Sequence, residues 1–94
     1  MNNKVILIVE KSLTGLAGYD YGKKIYEEQV RDNLDLSVKA TIVFPDNIQR
    51  MASSFVQGFF EDIVNKIGVS GIEKNIILDV SSEKLRQSII NNLL

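Results

Sequence analysis

Three short runs of apolar, largely β-branched residues recur along this chain, and each is followed by a stretch of helical periodicity. The first, Val5-Ile6-Leu7-Ile8-Val9, contains no polar residue. Such a run is the pattern of a strand buried on both faces of a parallel sheet. The second, Val38–Phe44, stops at Pro45-Asp46, and the third, Asn75–Val80, stops at Ser81-Ser82. After the first run, Tyr21, Ile25, Tyr26, Val30 and Leu34 share one helical face between charged residues, with Asp20 as the expected N-cap. After the second, Met51, Ala52, Phe55, Val56, Phe59, Phe60, Ile63, Val64 and Ile67 form a stripe broad enough to bury most of a helix. Gly68 stands at the expected stop of that helix, and Val69–Lys74 reads as a linker. After the third, Leu85, Ile89, Ile90 and Leu93 make an apolar face, Ser81 or Ser82 can cap it, and Glu83 favours its dipole.

The order βαβαβα predicts a small α/β domain with a mostly parallel, three- to four-stranded sheet. The 94 residues suffice for one such domain spanning residues 1–94. A fourth strand is expected from Lys11–Gly18 or from a second chain, because the edges of a three-stranded sheet invite pairing in a homodimer.

Charge and residue types narrow the function. Eleven Lys and Arg oppose 12 Asp and Glu, a net charge of −1, with no run of five like charges. This pattern is unlike the basic footprint of a nucleic-acid binder or a polybasic membrane contact. The chain has no cysteine and no histidine. It therefore lacks the commonest general base, the usual zinc ligands and any Ser-His or Cys-His nucleophile pair. No apolar run approaches the ~18 residues of a membrane span, and Val5–Val9 is too short for a signal-peptide core. The expectation is a cytoplasmic, non-catalytic protein without metal or cofactor.

In parallel sheets, ligands and partners meet the loops at the carboxyl ends of the strands. Here these are Glu10–Asp20, Pro45–Ser54 and Ser81–Ser82. The second offers Asp46, Asn47, Gln49, Arg50 and Met51 as a partner-binding loop. It leads into Ser53-Ser54, where Ser54 and Gln57 match a capping box. Either hydroxyl is also a candidate phosphorylation site, since a helix N-terminus favours a phosphate. The first loop carries Gly15, Gly18 and Gly22, but in neither of the phosphate-binding spacings, and reads as flexible. Tyr19, Tyr21 and Lys23 beside it form a second candidate face, although a solvated helix surface explains Lys23 equally well. Asp46 and Asp79 at neighbouring strand ends would make only a poor Mg²⁺ site, and Asp79 fits better as a capping residue for the last helix.

The strand VKATIVF, the short loop, Ser53-Ser54 and FVQGFFEDIV together resemble the bacterial STAS-like family, related to the anti-sigma factor antagonists. NIILDV, SSEKLRQSIINNLL and the upstream Gly18–Val30 segment also stand where that family places them. In the antagonists an Asp-Ser-Ser-Gly type motif opens the helix and carries the phosphorylated serine. Here Ala52 replaces the acidic residue and Phe55 the glycine, and Phe55 looks like the STAS-like subgroup. The resemblance implies a regulatory interaction module, with Ser53 or Ser54 as the switch. It implies an ATP-binding histidine-kinase-like or anti-sigma-like protein as partner. A phage or mobile-element accessory protein, binding through the same surface without phosphorylation, is the alternative.

Overall fold

A computed structural model describes residues 3–94. The elements run β1 (Lys4–Ile6), β2 (Gly15–Leu16), α1 (Tyr19–Gln29), β3 (Ala40–Val43), β4 (Arg50–Met51), α2 (Ser53–Asn75), β5 (Ile76–Asp79) and α3 (Glu83–Leu93). β1, β3 and β5 form a parallel sheet in the order β1-β3-β5, and β2 pairs with β4 in a separate two-stranded parallel sheet. The expected three-stranded α/β arrangement is present. The Lys11–Gly18 segment does supply a strand, but it joins β4 and leaves the main sheet at three strands.

The strands contribute to the core on one side only. Val5 and Leu7, Ala40 and Ile42, and Ile76 and Leu78 point into a single core shared with α1, α2 and α3. The residues between them point away from the helices. Ile6 is 65% exposed, Ile8 77% and Ile77 51%. The unbroken run Val5–Val9 is thus not buried on both faces, as its composition suggests. All three helices cover the same side, so among the described residues no layer lies against the other side of the sheet.

A side chain caps the backbone of one residue at each outer edge of this sheet. Two residues past β1, the Gln29 amide accepts from the Ile8 N–H at 2.8 Å and donates to the Ile8 carbonyl at 2.9 Å. On β5, Arg86 donates twice to the Leu78 carbonyl, from Nε at 3.1 Å and from a terminal nitrogen at 2.9 Å. These are among the outward-facing backbone groups that an added strand would use.

The helix layer is built on an unusually close crossing of α1 and α2. A methyl group placed on Gly22 would overlap the backbone carbonyl of Phe55, and one on Gly58 would overlap that of Tyr19. Gly22, which weakens a helix by propensity, is required here by contact. Around the crossing, Phe59 lies 5.4 Å from Phe44, 5.7 Å from Phe55, 4.8 Å from Phe60 and 5.9 Å from Tyr26, measured between ring centroids. Phe55, Phe59 and Phe60 are fully buried, as their spacing predicts.

Helix boundaries depart from expectation in three places. α1 starts at Tyr19 after an N-cap Gly18, so Asp20 lies inside the helix and caps nothing. α2 starts at Ser53 with Ala52 as N-cap and no capping side chain, so Ser54 and Gln57 do not form a capping box. The segment 69–75 is helical and not a linker. Gly68 breaks the backbone at φ 73° and ψ 168°, and the chain resumes helix beyond it. α3 follows expectation, with the Ser82 hydroxyl accepting from the Leu85 N–H at 3.1 Å.

Replacing Gly58 by Ala is expected to lower stability by about 3 kcal/mol, and Gly22→Ala by a similar amount, because backbone must move to admit the methyl. Gly15→Ala, whose added atom meets only ordinary contacts at 3.6 Å or more, should change stability by less than about 0.5 kcal/mol. Urea unfolding of the three variants beside the parent checks the contrast.

Candidate functional site

The loops at the carboxyl ends of β1, β3 and β5 are fastened to one another. The Asn47 amide donates to the carbonyl of Leu13 at 2.7 Å and, more weakly, to that of Glu10 at 3.5 Å. The Thr14 carbonyl accepts from the N–H groups of Gln49 at 2.7 Å and Arg50 at 3.2 Å. Ile48 is fully buried, and its carbonyl accepts from the Ser81 hydroxyl at 2.7 Å. The pairing of β2 with β4 continues this seam, and the Ala52 N–H closes it on the Leu16 carbonyl at 2.8 Å. Segments far apart in sequence thus form one braced surface.

This bracing sorts the residues of the Asp46–Met51 loop. Asp46, Gln49 and Arg50 are exposed. Asn47 is half-buried and spent on the neighbouring loop, and Met51 is buried in the core. Gln49, Arg50 and the edge of Met51 form one wall of a cleft of about 400 Å³, whose other wall is α3 with Ser82, Lys84 and Ser88. No carboxylate lines it. Neither Arg50 nor Lys84 forms an ion pair among the described residues. The arrangement suits an uncharged or acidic group presented by a partner. The contribution of α3 was detectable in the spacing of Lys84 and Ser88, which places both on one helix face. Nothing in the sequence brings that face to the β3–β4 loop.

The two serines differ in their surroundings. The Ser53 side chain is exposed on the first turn of α2, which contains no acidic residue. The Ser54 hydroxyl is half-buried and accepts from the Gly18 N–H at 3.0 Å, tying the start of α2 to the start of α1.

The second candidate face is occupied by internal pairs. Tyr21 is half-buried with its ring 5.8 Å from Phe55, so it belongs to the helix contact. The Tyr19 hydroxyl donates to Glu61 at 2.5 Å, and Lys23 reaches the same carboxylate at 3.4 Å. One turn further, the Tyr26 hydroxyl donates to Asp62 at 2.5 Å, and Lys66 pairs with Asp62 at 3.0 Å. Hydrogen bonding from Tyr26, and then from Lys66, holds the Asp62 carboxyl below its ordinary value. Burial, and then the bond to Asp62, raises the Tyr26 phenol. These Tyr–carboxylate pairs lie at the rim of the α1–α2 crossing and were hidden in the sequence, where Tyr26 reads only as an apolar-face residue.

Asp79 is exposed and does not cap α3, a role taken by Ser82. Among the described residues no three acidic side chains come close enough to hold a metal ion. No helix among them is long and apolar enough to cross a membrane. The fold and site define a compact α/β domain with a braced loop surface at one end of its sheet. No protein-family model, curated protein or solved structure matches the chain.

The Tyr26–Asp62 pair predicts a pH profile. A carboxyl lowered in the folded state stabilises above about pH 4, and that contribution is lost as pH falls through the folded value. A raised phenol keeps its contribution below about pH 10 and loses it as pH rises further. Tyr26→Phe should therefore flatten the acid limb of urea midpoint against pH and cost about 1 kcal/mol at neutral pH. An acid limb identical to the parent's would mean that other carboxylates set it.

Proposed function

We propose that this chain is a STAS-like, non-catalytic interaction module. Its partner docks on the Gln49–Arg50 edge and the cleft beside α3, and Ser53 is its phosphorylation switch. The observation that carries this reading is the unequal standing of the two serines. Ser54 is engaged with Gly18, whereas Ser53 is free at the surface where β4 passes into α2. A phosphate on Ser53 would place roughly two negative charges on a helix start that has no acidic residue, three positions from Arg50. The change in charge falls next to the docking edge and leaves the buried seam untouched. The family resemblance supplies the partner class, an ATP-binding histidine-kinase-like protein or an anti-sigma-like relative of it. The braced loops favour this reading, because a preformed surface gives up little conformational freedom on docking.

The test is intact-mass analysis of the chain recovered from its own cells, together with the proteins that co-purify, for the parent, Ser53→Ala and Ser54→Ala. The expected result is a one-phosphate mass increase in the parent and in Ser54→Ala, absent in Ser53→Ala. An ATP-binding kinase-like protein is expected among the captured partners, with its recovery reduced when Arg50 is replaced by Glu. Ser54→Ala should instead lower stability by about 1 kcal/mol through the lost bond to Gly18. Equal capture of an unrelated partner by all forms, with no mass increase, would replace the switch by a rigid binder.

A further inference from the structure

We propose that the uncovered side of the β1-β3-β5 sheet is the interface of a symmetric homodimer. Wholly parallel sheets are almost always covered on both faces, and this one is covered on one. The register aligns the uncovered residues in two rows, Lys4–Thr41–Ile77 and Ile6–Val43–Asp79. Lys4 and Asp79 stand at opposite corners, and Ile6 and Ile77 occupy the other two. Both charged residues are exposed, and neither pairs with another described residue.

This arrangement is complementary to itself. A two-fold axis lying in the interface along the Ile6–Ile77 diagonal exchanges the other two corners. It sets Lys4 of one copy over Asp79 of the partner and repeats the pair on the far side, as an isologous contact requires. Ile6 and Ile77 each meet their own counterpart on the axis, and Thr41 and Val43 fill the centre. With strands about 4.8 Å apart and residues about 3.3 Å apart, the two sheets cross at roughly 70°, in the near-orthogonal class of sheet packing. Two faces of three short strands bury at most roughly 1,000 Å² in all, the lower end for a specific interface, so the contact relies on its charge pairs as well as its area. At the edges, by contrast, Gln29 engages the backbone of Ile8 and Arg86 the carbonyl of Leu78, which shortens the length open to a second copy.

The charge diagonal makes the test specific. Sedimentation equilibrium over a concentration series should show a monomer–dimer equilibrium that weakens with salt. Lys4→Asp sets two like-charged pairs across the axis and should raise the dissociation constant about tenfold or more. The swap Lys4→Asp with Asp79→Lys should restore it to within about threefold of the parent. Both substituted positions are exposed, and urea unfolding confirms that the variants remain folded. Because the chain has no cysteine, Ile6→Cys provides a single thiol on the axis. Because facing sheets stand about 10 Å apart, a short bis-maleimide should join it to its counterpart in a covalent dimer, whereas Lys24→Cys on the exposed surface of α1 should not be joined. A chain that stays monomeric to about 1 mM overturns the proposal and leaves the face to a helix of another protein or to adjoining chain. A dimer indifferent to Lys4→Asp, or one that Ile6→Cys fails to link, overturns it by locating the contact elsewhere.

Discussion

The close crossing of α1 and α2 is the contact on which the remaining structure depends. At Gly22 and Gly58 the two helices meet backbone to backbone, so no change of rotamer can absorb an added atom. That approach draws the rings of Tyr21, Tyr26, Phe55 and Phe59 into one cluster, and Phe44 joins it from the end of the β3 segment. Phe44 immediately precedes the loop that carries Asp46, Gln49 and Arg50. The position of that loop is thus set from beneath by aromatic packing and from the sides by bonds to Leu13, Thr14 and Ser81. Ser54 adds a polar tie at the same crossing by holding the Gly18 N–H.

The sheet is asymmetric in both composition and surroundings. Its inward residues are uniformly apolar, and its outward residues mix Ile6, Val43 and Ile77 with Lys4, Thr41 and Asp79. A strand such as Val5–Val9 has no polar alternation, so its composition alone does not reveal that one side meets water. The open sheet face adjoins the loop surface at Asp79, two residues before Ser81.

Much of the fold was legible in the sequence because its signals are local. The β-branched runs, the Phe55–Phe59–Phe60 stripe, the positive-φ break at Gly68 and the Ser82 cap all follow from neighbours within a few positions. What could not be read depends on contacts between distant segments. Gly22 and Gly58 look like weak points of their helices until the helices are brought together. Asp20 and Ser54 have the chemistry of caps, but the helices begin one or two residues earlier because tertiary contacts fix their starts. In the candidate site, the exposure of Asp46, Gln49 and Arg50 agrees with a loop at a strand end. The burial of Met51 and the fastening of Asn47 come from the small β2–β4 sheet. Two-residue strands are too short to announce themselves by periodicity.

The break at Gly68 also solves a problem of length. A straight helix of the 23 residues in α2 would measure about 33 Å, as long as the longest dimension of the whole molecule, 33 Å. The chain must leave the end of β3, travel back past the sheet and enter β5 beside the start of β3, where Ile76 pairs with Ala40. An uninterrupted rod would carry it beyond that point. One left-handed residue folds the excess back toward the sheet, so Gly68 acts as a gauge that matches a long connection to a short strand.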